Sequence, residues 1–124
     1  MNAALWTAAG VLAVMFLLAG VMKLTKSQAD LVASGQGWAG DVSPATVRII
    51  GALEVLGAIG LVLPGLLDVA TWVVAAAGIG LAVIMIGAVV THSRRREYAN
   101  TLVNVVLLAL AIFVVVGRLG PEQF

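Results

Sequence analysis

The feature that most constrains the fold is a set of four long segments almost free of charged residues. Each is about 20 residues long, and a helix rising about 1.5 Å per residue then crosses a hydrocarbon core of about 30 Å. Because 62% of the 124 residues are hydrophobic and only 10% are charged, a soluble domain would lack polar surface. The sequence predicts an all-α integral membrane four-helix bundle, a single transmembrane domain over residues 1–124, with helices at approximately 3–22, 45–63, 69–91 and 98–117.

Several function classes are excluded by residues that the chain lacks or has once. With no cysteine, disulfide exchange, thiolate catalysis and sulfur-ligated clusters are ruled out. His92 is the only histidine, so we expect neither a metal site nor a bis-histidine haem site. A net charge of +1 without a basic and aromatic surface gives no indication of nucleic-acid binding. Without a nucleophile and base or a phosphate loop, we expect no catalysis by the chain alone.

The first loop carries a capping pattern and an aromatic residue. Ser27 and Asp30 match a capping box, which predicts a short helix lying at the membrane interface. The glycine-rich stretch 35–40 predicts a flexible turn, in which Trp38 is expected to anchor at the headgroup level.

Other local signals set the ends of the spans. The first segment lacks a basic flank and has the length of a full span, so we expect it to be retained rather than cleaved. Ser43 followed by Pro44 predicts the start of the second span, and Leu-Pro-Gly at 63–65 predicts its end. Asp68 is then expected to be the N-cap of the third span.

One carboxylate lies in the middle of the second span. Glu54 is expected to face the bundle interior, because an ionisable group at bilayer depth costs about 2.5–3.5 kcal/mol on insertion scales. Gly51, Gly57 and Gly60 lie at three-residue spacing along the same row of the helix. Such a row predicts a groove for helix packing, into which a neighbouring helix fits closely.

The charges also indicate an orientation. By the positive-inside tendency, the first and third loops are expected to face the cytoplasm, with both termini outside. Trp6 and Trp72 then fall at the outer interface. The triplet Arg94, Arg95 and Arg96 is expected to contact anionic lipid, or alternatively an acidic partner. The loop-side cations are Lys23, Lys26, Arg48, Arg94, Arg95 and Arg96, against Arg118 on the other side.

Polar side chains concentrate in the cytoplasmic half of the bundle. Glu54 and Asn104 are expected roughly 15 and 10 Å below that surface, at depths where they can meet. Glu54 is either protonated or partnered by Lys23, His92 or Asn104, and Lys23 could instead extend to water at its helix end. Whether these groups form a structural clamp or a ligand or proton site stays open at this point. The predicted cluster comprises Glu54, Lys23, Asn104, Arg48, His92 and Asn100.

The pattern resembles the DoxX-like family of small bacterial four-helix membrane proteins. The resemblance rests on residues 18–24 closing the first span, on Gly51, Glu54 and Gly57 after a polar loop, and on the four-span length. Members are named for a membrane subunit of a thiosulfate:quinone oxidoreductase, and relatives are linked to redox and oxidative-stress complexes. The resemblance therefore implies a location in a bacterial plasma membrane and a redox association, but it carries over no catalytic residues.

Three functional hypotheses follow. The first is an accessory subunit of a membrane oxidoreductase or another complex, or a binder of quinone or a similar lipid-like molecule, with Glu54, Lys23 and Asn104 lining the pocket. The second is a proton-coupled small multidrug transporter using Glu54, which is disfavoured because those proteins carry their glutamate in the first helix. The third is a packing or assembly protein, for which glycine faces and polar clamps suffice. In each case the lipid bilayer is a partner, and a homo-oligomer remains open.

Overall fold

The computed structural model describes all 124 residues as a bundle of helices without strands. Its four long helices have the length and hydropathy to cross a membrane, which confirms the predicted four-helix membrane bundle. The short helix predicted in the first loop is also present. The elements are α1 (Asn2–Thr25), α2 (Gln28–Ala33), a 3-10 helix (Gly37–Gly40), α3 (Pro44–Leu67), α4 (Trp72–Arg94) and α5 (Tyr98–Leu119).

Two of the predicted caps form as expected. The Ser27 hydroxyl accepts a hydrogen bond from the Asp30 N–H at 3.1 Å, and α2 follows. The Ser43 hydroxyl accepts from the Thr46 N–H at 3.2 Å, with Pro44 in the first turn of α3. In both cases a short polar side chain satisfies an amide that has no partner within the helix.

The predicted boundary between the second and third spans is wrong. The α3 helix continues through Pro64 to Leu67, and Asp68 ends it in the left-handed conformation at φ 53° instead of starting the next helix. In lipid, stopping at Pro64 would leave several backbone groups unpaired, whereas a proline inside the helix loses one hydrogen bond. The third span accordingly begins at Trp72, with Thr71 as its N-cap, rather than near residue 69.

The long helices form a ring in which α1 packs against α3 and α5, and α4 packs against α3 and α5. The α1 and α3 helices approach each other closely at Gly20 and Gly51, where a Cβ on Gly51 would lie 2.9 Å from the Gly20 carbonyl oxygen. Between the helices is a buried apolar core that includes Leu12, Phe16, Leu61, Val74, Leu81 and Val114.

The glycine row of α3 does not form one groove for one neighbour. Gly51 lies against α1, whereas Gly57 contacts Leu81 of α4 and Gly60 contacts Ala77 of α4. A three-residue step leaves the row about 60° short of a full turn, so the face rotates by about 180° between Gly51 and Gly60. The row therefore packs α3 against two helices on different sides.

The first loop is more ordered than the flexible turn predicted for residues 35–40. The Gln28 side-chain amide donates hydrogen bonds to the carbonyls of Ala39 and Val42, at 2.6 and 2.7 Å. Leu31 and Ala39 are buried in a small second core with Val47 of α3. The segment from α2 through the 3-10 helix thus forms a fixed cap beside the loop end of the bundle.

Candidate ligand-binding cavity

Glu54 lies in the interior and forms an ion pair across helices. Its Oε1 is 2.7 Å from the Nζ of Lys23, and the two side chains are only 3% and 11% exposed. A charge-assisted contact of this length is a strong one. Lys23 therefore pairs with Glu54 instead of reaching water.

The glycine contact between α1 and α3 makes this pair possible. A Cβ on Gly51 would lie 2.7 Å from the Cβ of Lys23, so the lysine stem occupies the space that a larger residue would fill. The stem then extends along α3 to Glu54, one turn farther on. The Nζ of Lys23 also lies 5.7 Å from the centroid of the Trp38 ring, a distance at which an ammonium is attracted to an aromatic face.

Beside the ion pair is a cavity of about 750 Å³ between the four long helices and the first loop. Its apolar wall includes Met15 and Phe16 of α1, and Ile84 and Met85 of α4. Five of the six residues predicted to form a polar cluster line this cavity: Lys23, Glu54, His92, Asn100 and Asn104.

Arg48 is the predicted cluster member that lies elsewhere. Its guanidinium donates to the carbonyl oxygen of Lys23 at 3.1 Å and to that of Leu24. These carbonyls belong to the last turn of α1, which has no intrahelical donors for them. Arg48 therefore ties α3 to the end of α1 and does not face the cavity.

Two residues that line the cavity, Met15 of α1 and Val103 of α5, are 42% and 49% exposed. At the other end of the bundle α1 and α5 are in contact, since Gly117 lies against Leu5. The exposed lining residues indicate an opening of the cavity between α1 and α5.

Sequence reasoning missed the contribution of the loops to this site. Gln36 and Trp38 line the cavity from the first loop, and the Trp38 indole N–H donates to the Gln36 Oε1 at 2.7 Å. Thr91 and Gly87 line it from α4. Gln36 and Trp38 stand out in the glycine-rich stretch 35–40, but their position over the bundle depends on the fold of the loop, which the sequence alone does not show.

His92, which lines the cavity, belongs to a second group of polar side chains at the third loop. The Nδ1 of His92 is 2.9 Å from the Oε1 of Glu97, and the Nε of Arg95 is 3.2 Å from the same oxygen. The hydrogen bond from His92 is the main cause that lowers the pKa of the Glu97 carboxyl below its usual value of 4.5. Glu97 was not among the predicted site residues, because its pairing depends on the turn that ends α4.

The predicted basic triplet divides into two kinds of residue. Arg95 pairs with Asp41 of the first loop as well as with Glu97, and so joins the two loops. Arg94 and Arg96 are exposed. The triplet and Lys23 thus lie at the same end of the bundle, as the orientation argument requires, while the cytoplasmic assignment of that end stays a prediction.

Comparison with known families gives one match. The family model described as the DoxX-like family matches residues 7–114, which include the ion pair and Asn104. No curated protein and no solved structure matches the chain.

Proposed function

The chain belongs to the DoxX-like family, and we propose that it is a membrane-embedded binding subunit that holds the polar head of a quinone or a similar lipid-like molecule. One observation carries the proposal. A cavity of about 750 Å³ lies beside the buried Lys23–Glu54 pair, and its lining combines an apolar wall with the polar side chains of Lys23, Glu54 and Asn104. Such a combination of apolar wall and a few placed polar groups is typical of a ligand-binding site.

The lining of the cavity fits a neutral, ring-shaped head. Lys23 can donate to a carbonyl oxygen, Asn104 can donate or accept, and Glu54 can accept from a hydroxyl. Phe16 and Met85 provide an apolar wall next to these groups. Ligand pockets typically measure about 300–1,000 Å³ and combine an apolar lining with a few placed polar groups.

The cavity favours binding over the packing hypothesis. Glycine contacts at Gly20 and Gly51 account for the close approach of α1 and α3, but they do not require an open space beside the buried pair. No particular contact in the structure favours a transporter.

The family resemblance and the exposed Arg94 and Arg96 support the further proposal that the subunit assists a membrane oxidoreductase.

A single tryptophan at the cavity provides the test. In the variant Trp6→Phe/Trp72→Phe, only Trp38 remains, and a quinone bound in the cavity should quench its fluorescence in a saturable way. The matched control Trp6→Phe/Trp38→Phe keeps only Trp72, which is 71% exposed at the opposite end of the bundle. We expect unsaturable, collisional quenching in that control when short-chain benzoquinones and naphthoquinones are titrated.

A polar-to-apolar substitution then tests the lining. Asn104→Leu in the Trp38 background should weaken binding about tenfold, because a lost hydrogen bond to a buried head costs roughly 1–3 kcal/mol. Thr7→Val is the control, since Thr7 bonds only to the Ala3 carbonyl at the far end. Equal quenching of Trp38 and Trp72, with no quinone or lipid enriched in purified protein by mass spectrometry, would favour the packing hypothesis.

A further inference from the structure

A second opening lies on the lipid-facing side of the bundle, in the seam between α3 and α4. This α3–α4 groove has a volume of about 480 Å³ and is lined by apolar residues and glycines, among them Gly57 and Gly60 of α3 and Gly80 and Ile84 of α4. We propose that it binds the hydrocarbon tail of the molecule whose head occupies the cavity. The inference rests on the proposed function and adds a second subsite to it.

The groove and the cavity lie along the same face of α4. Gly80, Ile84 and Gly87 follow the i, i+4, i+7 spacing of one helical stripe. Gly80 and Ile84 line the groove, whereas Ile84 and Gly87 line the cavity, so Ile84 is shared by both. The stripe extends over about 10 Å at 1.5 Å per residue, a distance that a tail attached to a buried head can span.

On α3, the cavity and the groove are likewise lined by residues of one helix face. Ile50 of α3 lines the cavity and Gly57 lines the groove, seven residues apart and therefore on one face. Glu54, which lines the cavity, lies between these two residues in the sequence. Polar side chains at the cavity end and an apolar groove at the other end match an amphiphile with a polar head and a hydrocarbon tail.

The lining of the groove and its continuity with the cavity favour a single hydrocarbon chain as the occupant. At its floor α3 and α4 touch, since Gly57 lies against Leu81 and Gly60 lies against Ala77. Leu56 and Val83 line the groove and are 65% and 63% exposed, so large side chains form its rims. A chain that continues from the cavity would lie between these rims, and a neighbouring helix packed on the groove is the competing outcome of the test.

Two glycines make a matched pair of test variants. A Cβ on Gly80 meets no atom within 4 Å, so the leucine of Gly80→Leu begins in open space and extends into the groove that Gly80 lines. A Cβ on Gly10 of α1 also meets no atom within 4 Å, and Gly10 lines neither the cavity nor the groove. Gly10→Leu therefore controls for replacing an open helical glycine by leucine in a membrane span.

The experiment measures how affinity depends on the tail. Trp38-only proteins in lipid nanodiscs are titrated with a naphthoquinone that carries either a methyl group or a prenyl tail of several units, at equal mole fraction in the membrane. The parent protein and Gly10→Leu should bind the prenylated compound about fivefold more tightly, through packing contacts that bilayer lipid does not reproduce. In Gly80→Leu the two compounds should bind equally.

Each other outcome counts against the inference. If Gly80→Leu keeps the preference for the prenylated compound, or if the parent protein binds both compounds equally, the tail lies elsewhere while the proposed function stands. If Gly80→Leu instead changes the oligomeric state, the groove is an interface between copies of the chain. Absence of saturable quenching by either compound in every variant would overturn both the groove assignment and the proposed function.

Discussion

The ion pair between Lys23 and Glu54 gives the sharpest test of how the bundle holds a buried acid. Lys23→Met keeps most of the lysine stem against Gly51 and removes the charge. At 2.7 Å, two unit charges attract each other by about 6 kcal/mol if the effective dielectric constant is about 20. Desolvation of the two ions offsets much of that gain, but removing one partner leaves the other uncompensated. We therefore expect Lys23→Met to lower the free energy of unfolding by about 3–5 kcal/mol.

The neutral double variant Lys23→Met/Glu54→Gln isolates the interaction. Because it removes both charges, its stability should lie within about 1 kcal/mol of the parent protein. The assay is equilibrium unfolding by dodecyl sulfate in mixed micelles, followed by far-UV circular dichroism, on the parent, both single variants and the double variant. A double variant whose loss equals the sum of the single losses would show no coupling, and the ion-pair argument would then be refuted.

Three further predictions concern the surroundings of the site. Gly51→Ala places a Cβ 2.7 Å from the Cβ of Lys23, so it should cost about 1–3 kcal/mol of unfolding free energy in the same micelle assay. Arg48→Met removes the donors to the last turn of α1 and should cost about 1 kcal/mol, with faster hydrogen exchange of the neighbouring amides as a local readout. The pKa of Glu97 is lower in the fold, chiefly through His92, so the carboxylate stabilises the fold above its usual pKa of 4.5, and this contribution disappears as the pH falls through the lowered pKa. A thermal melting series across acidic pH should show this loss in the parent protein and not in Glu97→Gln.

Much of the fold was predictable because its determinants are local. Length and hydropathy identify each span without knowledge of its neighbours, and Ser27 and Ser43 cap helices through contacts only three residues away. The inward position of Glu54 also followed from the sequence, because the cost of exposing a carboxylate to lipid does not depend on which helix covers it.

The partner of Glu54 was not predictable on the same grounds. Lys23, His92 and Asn104 all line the cavity, so depth and polarity alone did not distinguish them. The choice depends on the rotation of α1 against α3, which is set by the room at Gly51 for the lysine stem. Arg48 was placed in the cluster by its depth and charge alone. Its guanidinium instead donates to a carbonyl oxygen at the end of α1 and does not line the cavity.

At the end of α3, residues that usually end a helix in a soluble protein do not end it. Leu63, Pro64 and Gly65 followed by Asp68 would ordinarily mark a helix end and a new N-cap. In the bundle the helix continues past Pro64, and Asp68 accepts a left-handed conformation that short polar residues tolerate. Hydrogen-bond satisfaction of the backbone in lipid outweighs the preference of a single proline.

The two ends of the bundle also differ in a way that bears on function. At the closed end Arg118 is 8% exposed and lies 4.0 Å from the ring centroid of Phe124 and 5.6 Å from that of Trp6. It donates to the Asn2 side-chain oxygen at 2.8 Å and to the Glu122 carbonyl at 2.9 Å, so this buried cation has acceptors within the protein. At the loop end the buried Lys23–Glu54 pair instead lies in the wall of a cavity. Because the surroundings of Arg118 show that this sequence can enclose a charge with its own side chains, the open space beside Glu54 supports the proposed ligand site.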